Sequence, residues 1–320
     1  MRAALYSING PASVLRIAEL PDPVPGPDEV LIRVEAISIE GGDILSRQHI
    51  PPSTADHVLG FQVAGFVVSV GEAVDLVRVG EHVAAFNWQG SHAELFVTPQ
   101  HYVYPIPPSV DSRVAAAVPV AFGTAHDALF EFGNLESGET VVILGATGGV
   151  GLAAVQLAKL RGAKVIAVAS SPERLWGLST VRTDHLINYK MHNVASEILR
   201  LTGGNGAELV VDLVGGSLIR EVLGSVRYRG RLSVVGAASG ENASIPLREI
   251  GGKSLTVSGV SFGKEMHLPR VRGMLSHYFI SVAQGLMTMP IDRTYALADV
   301  AKAHQYAQHG HPFGRVVMTP

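Results

Sequence analysis

Thr140-Val141-Val142-Ile143-Leu144-Gly145-Ala146-Thr147-Gly148-Gly149-Val150-Gly151 is the stretch whose reading decides the fold. It opens on a short, β-branched, apolar run of the kind that makes a buried strand. After the glycines, Val150, Ala153, Leu157 and Leu160 recur at spacings of three and four, which is helical. Gly162 stands where it can close that helix, and residues 164–169 read as a second buried strand. Between a strand and a helix, a glycine-rich turn has a chemical meaning. Gly148 and Gly149 allow the backbone to come close to a pyrophosphate, and Gly151 allows the helix to pack tightly on the strand. The helix N-terminus then offers free N–H groups and a partial positive charge to the phosphates. The reading places Ala146, Thr147, Gly148, Gly149 and Val150 against a dinucleotide. The blander alternative is an ordinary glycine-rich turn; strand, turn, helix and second strand in sequence weigh against it.

The end of the second strand selects the cofactor. An Asp or Glu there would bind a ribose 2′-hydroxyl and repel a 2′-phosphate. Here Ala169 holds that position, and Ser170, Ser171 and Arg174 follow, which suits a 2′-phosphate and hence NADPH. Glu173 is the one feature against this, unless it faces solvent on the next helix. The two serines can also be read as caps of that helix.

Working outward, further strands are predicted at residues 185–188, 208–212, 231–235 and 254–258. Strands that alternate with helices and are apolar throughout imply a parallel sheet covered on both faces. The first third is different. Residues 29–35, 63–70 and 81–86 read as strands, with Gly71, Gly80 and Gly90 as turn points. Residues 21–27 carry four prolines and are predicted as an extended loop. Near residue 110 the caps Ser109, Asp111 and Ser112 precede a helix beginning at Arg113.

Composition narrows the partners. Cysteine is absent, which removes disulfides, thiol nucleophiles and thiolate metal sites together. Net charge is -3 with no basic cluster, so nucleic acid is not favoured. The longest apolar stretch, 141–160, is interrupted by glycines and Thr147, and the N-terminus lacks a signal-peptide core, so neither a membrane span nor export is predicted. A cytoplasmic location is the default expectation.

The fingerprint Ala146-Thr147-Gly148-Gly149-Val150-Gly151 resembles that of the zinc-independent medium-chain dehydrogenase/reductases called quinone oxidoreductase-like. Other segments match in the family's order: Val70-Gly71 through Gly80-Glu81-His82-Val83, Gly123-Thr124-Ala125-His126, Ile187-Asn188-Tyr189, Val211-Asp212 with Val214-Gly215-Gly216, and Phe313-Gly314-Arg315-Val316-Val317. The resemblance covers essentially the whole chain. It implies an α/β protein in which a β-rich GroES-like catalytic domain, residues 1–121 and 263–320, encloses a doubly wound Rossmann domain, residues 122–262, with the active site in the cleft. It also implies a homodimer paired through residues 254–262. It adds Thr124, Tyr189, Gly236, Phe262 and Arg315 to the cofactor contacts, and it makes Phe61 and Trp88 walls of a substrate pocket.

The same resemblance argues against zinc. Glu40, Phe61 and Val120 align with the ligand positions of zinc alcohol dehydrogenases, and two of the three have no donor atom. Where the family has an asparagine and a tyrosine beside the substrate, this chain has Glu40 and Leu45. Glu40 is read in two ways: a desolvated general acid that protonates a reduced product, or a structural carboxylate bonded to the turn at Gly41-Gly42. Asp43 is expected to pair with Arg47 one helical turn on. The function implied is metal-free hydride transfer from NADPH to a small-molecule quinone or activated C=C (enone or enoyl) acceptor. The alternative is a non-catalytic NADPH-binding redox sensor or scaffold, since the pocket pair is changed while the cofactor motif stays intact.

Overall fold

The computed structural model describes residues 1–54, 57–170, 177–178, 181–236, 238–242 and 244–320. The chain divides into two compact units, Met1–Val120 with Gly263–Pro320, and Ala121–Phe262.

The first unit is built on β strands. β1 (Arg2–Leu5) and β2 (Arg16–Glu19) form an antiparallel pair. β3 (Glu29–Ser38), β4 (Gln62–Val70), β5 (His82–Phe86), β6 (Leu95–Pro99) and β7 (Val103–Pro105) follow, with helix α1 (Gly41–His49) between β3 and β4. The seven-stranded sheet of this unit is completed by two strands from the chain's end, β14 (Ile291–Ala296) and β15 (Arg315–Thr319). β15 lies antiparallel to β3, and β3 antiparallel to β4. Along β3 the side chains alternate in and out, so Val30, Ile32 and Val34 enter one core with Val63, Val67 and Val83. The proline-rich run between β2 and β3 is irregular, as its missing N–H groups require.

Two helices of this unit come from the C-terminal part, α8 (Pro269–Ala283) and α9 (Val300–His309); α2 (Ser112–Ala116) is capped by Asp111, whose side chain accepts from the Arg113 amide at 2.9 Å. α9 is anchored by a contact that sequence spacing does not announce. His304 and His92 are both fully buried, and their Nε2 atoms lie 2.9 Å apart. His92 Nδ1 also meets Ser91 Oγ at 3.1 Å. A Cβ at Gly60 would run into both Ser91 and His92, and Gly60 has φ +106°, so only glycine serves there.

The second unit holds a six-stranded, wholly parallel sheet. Its strands are β8 (Thr140–Leu144), β9 (Lys164–Ala169), β10 (His185–Asn188), β11 (Ala207–Asp212), β12 (Val226–Val234) and β13 (Thr256–Gly259). In space they run β10-β9-β8-β11-β12-β13. This is the dinucleotide-binding order, which reverses between β8 and β11 and leaves a crevice at their carboxyl ends. Helices α3 (Val118–His126), α4 (Gly149–Leu160), α5 (Val194–Leu201), α6 (Ser217–Leu223) and α7 (Leu247–Lys253) intervene in the chain. Val194 and Ile198 of α5 and Ile219, Val222 and Leu223 of α6 pack with Val142, Leu144, Ile166, Val168 and Val210 of the sheet. The fold class is therefore α/β, a doubly wound Rossmann sheet accompanied by a β-rich GroES-like unit. Among the described residues no helix is long and apolar enough to cross a membrane.

Candidate functional site

In the second unit the predicted cofactor residues gather at one end of the sheet. β8 finishes at Leu144, and Gly145 turns the chain with φ +80°, its N–H donating to the Val168 carbonyl of β9 at 3.1 Å. Gly148 is the N-cap of α4, and no side chain caps the helix there. The first amides of α4 thus keep their donors for another acceptor. Gly151 sits against the turn itself: a Cβ there would meet Gly145 O and would lie 2.6 Å from Ala146 Cα. A Cβ at Gly148 would find nothing nearer than Gly145 O at 3.8 Å. One glycine is required by packing; the other leaves open space above the turn.

The neighbouring strands finish at the same end. Ser170 follows β9, and the Tyr189 amide after β10 donates to Ala169 O at 3.1 Å. After β11, the buried Asp212 carboxylate accepts from the amides of Val214 and Gly215, both at 2.9 Å, and fixes that loop. Burial raises the Asp212 pKa against the pull of these two amides. Gly236 follows β12 and donates to Asp212 O at 3.3 Å. Phe262 follows β13, and its ring lies against Gly123, next to Thr124 on α3; a Cβ at Gly123 would collide with it. Ser171 and Arg174 lie outside the described residues.

The first unit gathers a different set. Register explains it. Ser38, at the end of β3, faces Gln62 on β4 and Val317 on β15. Two residues along each chain, Glu40 and Arg315 come to the same face. The result is a buried polar cluster. Glu40 Oε1 accepts from Ser38 Oγ at 2.9 Å and from Gln62 Nε2 at 2.5 Å, and Oε2 is ion-paired with the Arg315 guanidinium. Gln62 Oε1 in turn accepts the Val120 amide at 3.0 Å. Glu40 is only 2% exposed. Burial pushes its pKa up to about 7, against the pull of Arg315, Ser38 and Gln62.

The side chain of Glu40 meets Ser38, Gln62 and Arg315, and it also forms a capping box with Asp43 at the start of α1. One expectation about this segment needs correction. Asp43 and Arg47 do not pair. The Asp43 carboxylate reaches back to accept the Glu40 amide at 2.7 Å, as an acid at the third helical position can. Arg47 instead donates to Gly10 O at 3.1 Å and to Gln308 Oε1 at 2.8 Å. Arg315, expected on the cofactor, is held by Glu40 here. Phe61 and Trp88 do come together, with ring centroids 6.2 Å apart and edge to face, and Phe86 packs on both. Trp88 is half exposed. Among the described residues, no three His, Asp or Glu side chains are grouped so as to hold a metal ion.

Comparison with known proteins agrees with both units. Residues 26–108 match the alcohol dehydrogenase GroES-like domain, and residues 149–277 match the model described as zinc-binding dehydrogenase. A quinone oxidoreductase from Pseudomonas aeruginosa is 32% identical over 98% of this chain and 98% of its own length. The chain belongs to the quinone oxidoreductase-like branch of the medium-chain dehydrogenase/reductases. A mycobacterial member solved in complex with NADPH superposes with a TM-score of 0.94 at 29% identity, covering all of both chains. The CurK enoyl reductase superposes with a TM-score of 0.88 at 26% identity, over 99% of this chain and 98% of its own. A phenolphthiocerol/phthiocerol polyketide synthase of Mycobacterium tuberculosis is 31% identical over 97% of this chain, which spans only 14% of that protein.

The polar centre of the first unit in this chain is the Glu40–Arg315 pair with the Gln62 amide that bridges Glu40 to Val120. Sequence reading singled out Glu40 and Arg315 separately and missed Ser38, Gln62 and the His92–His304 pair. No local pattern marks Ser38 or Gln62, because their partnership depends on strand register. The two histidines are 212 residues apart.

Proposed function

We propose that this oxidoreductase uses NADPH to reduce a quinone or an activated C=C bond without a metal. The observation that carries this reading is the uncapped N-terminus of α4 at the switch point of the parallel sheet, with open space over Gly148. We place the pyrophosphate over the turn from Ala146 to Val150, where the Ala146 and Gly148 amides hold the turn itself and the uncapped amides at the start of α4 face the phosphates. Ala169 offers no carboxylate to repel a 2′-phosphate, and Ser170, Ser171 and Arg174 are the residues that would receive it. When bound, NADPH supplies a hydride. Thr124, Tyr189, Gly236 and Phe262 are the further residues we assign to holding it, and Phe61 and Trp88 offer an aromatic surface to a flat, conjugated acceptor. The rate then comes from holding donor and acceptor together away from water. Zinc is not required, because Phe61 and Val120 carry no donor where the zinc enzymes have ligands. Glu40 is the group we assign to protonating the reduced product.

Likeness to both a quinone oxidoreductase and an enoyl reductase supports keeping both acceptor classes. The test is NADPH oxidation by the purified protein against a panel of quinones, enones and enoyl thioesters, with NADH alongside. Turnover of at least one class, with NADPH preferred, is the expected result. NADPH binding with no turnover on any acceptor would instead favour a redox sensor or scaffold. We also propose a homodimer through β13, which is the outer strand of its sheet and so presents unpaired backbone groups. Light scattering on the purified protein should give twice the chain mass.

A further inference from the structure

The buried cluster in the first unit contains more charge than it can balance. Glu40 and Asp43 are 2% and 0% exposed, and Arg315 is 8% exposed. Arg47, the other buried guanidinium nearby, is turned to Gly10 O and Gln308 Oε1, so two ionised carboxylates beside the one guanidinium of Arg315 would leave a net negative charge in a dry site. An unbalanced buried charge is costly enough that such groups neutralise by taking up a proton. Among the described residues bonded to Glu40, only Arg315 brings positive charge; Ser38 and Gln62 are neutral.

The hydrogen bonds show how the two acids differ. Glu40 has the Ser38 hydroxyl and the Gln62 amide as donors and the Arg315 guanidinium as its ion-pair partner, all of which favour a carboxylate. Asp43 has the Glu40 amide on Oδ2, while Oδ1 makes no hydrogen bond that meets ordinary distance and angle limits, although the Phe61 amide also acts on this carboxyl. We propose that Glu40 and Asp43 together keep one proton at neutral pH, with Arg315 as the counter-charge of the one that is ionised. In the resting protein that proton sits on Asp43. The direction of the pKa shifts agrees: burial raises both acids, and the charge of Glu40 raises Asp43 further.

This gives Asp43 a task that the family resemblance does not assign. It is a positioning residue that acts through Glu40. Its link to catalysis rests on the reductase reading above. Bound NADPH would supply the hydride, with its electron pair, for the β-carbon of the acceptor and would be left as NADP+. The proton held by the acid pair goes through Glu40 to the α-carbon, and solvent water then returns a proton to the pair.

The proton can be counted without cofactor or substrate. Infrared spectra of the purified full chain at pH 7 should show the carbonyl stretch of a protonated buried carboxyl, moving in D2O. Asp43→Asn keeps an acceptor for the Glu40 amide and should abolish that band while the protein stays folded by circular dichroism. Glu40→Gln should abolish it as well, because Asp43 then ionises to balance Arg315. If Glu40→Gln does not fold, Asp43→Asn and a pH titration of the parent band decide alone: the band must fade as pH rises. Absence of the band in the parent, or its survival in either folded variant, overturns the proposal. A protein that shows the band and both losses but reduces no acceptor keeps the proton pair and refutes the enzymatic reading instead.

Discussion

Gly148 and Gly151 lie in the same turn and helix, yet the structure assigns them opposite tasks, and a pair of alanine substitutions separates them. At Gly151 a new methyl group would meet Gly145 O and come within 2.6 Å of Ala146 Cα and 2.7 Å of the Ala146 carbonyl carbon. All three are backbone atoms, so no side chain can rotate away, and the turn itself must shift. Forcing an extra methyl group into such a site costs about 1–3 kcal/mol. Alanine's better helix propensity offsets up to about 1 kcal/mol of that. The net expectation for Gly151→Ala is a loss of about 1–2 kcal/mol, read by urea unfolding of the second unit. At Gly148 the nearest atom is 3.8 Å away, and φ -78°, ψ 170° suits any residue. Gly148→Ala should therefore change stability by less than about 0.5 kcal/mol. Its methyl group occupies the space over the turn, so NADPH affinity should fall at least about tenfold, about 1.4 kcal/mol, in fluorescence or calorimetric titration. Unaltered NADPH affinity in Gly148→Ala would refute the phosphate site. Parent-like stability in Gly151→Ala would refute the contact argument.

Three further outcomes follow from other parts of the molecule. Arg174→Ala should weaken NADPH binding by about 1–3 kcal/mol and leave NADH nearly unchanged, the scale of a hydrogen bond to a charged group; equal effects on the two cofactors would disprove 2′-phosphate recognition. Metal analysis of the purified protein should find no stoichiometric zinc, and chelators should not alter turnover; stoichiometric metal lost together with activity would contradict the reading of Phe61 and Val120. The His92–His304 pair makes the first unit acid-sensitive. Burial depresses the His92 pKa to about 3 and that of His304 well below its ordinary value, with His92 and Arg47 adding to the effect on His304. An unfolded histidine binds its proton near about pH 6.5, so between there and the folded-state values the unfolded chain holds more protons. Stability is thus full above about pH 6.5 and should fall on acidification by up to about 1.4 kcal/mol per pH unit for each histidine. Chemical unfolding from about pH 7.5 to 5 checks this, and a His92→Gln, His304→Gln double variant should show a flatter profile than the parent.

The amino-acid sequence by itself determined the first β-α-β of the second unit. β8 and β9 are almost continuously apolar, α4 carries apolar residues every three or four positions, and the turn between β8 and α4 needs glycine at fixed offsets. All of these are local signals, so β8, α4 and β9 could be read residue by residue, and the fold class with them. β12, by contrast, with three arginines, begins at Val226, before the apolar run that the sequence marks. It also showed where the cofactor choice is made, because a missing carboxylate at Ala169 is visible without coordinates. The tertiary structure alone decided who touches whom among distant residues. The expected pairing of Asp43 with Arg47 rested on helical spacing, but the first turn of a helix has unpaired amides, and Asp43 turns back to one of them. Glu40 meets Arg315 only because β15 crosses the end of β3, 275 residues later in the numbering. His92 and His304, likewise, meet through packing that no periodicity encodes. Local backbone preference acts over a few residues and is written in order along the chain. The balance of buried charge is set by strand register and packing, and it exists only once the sheet has formed.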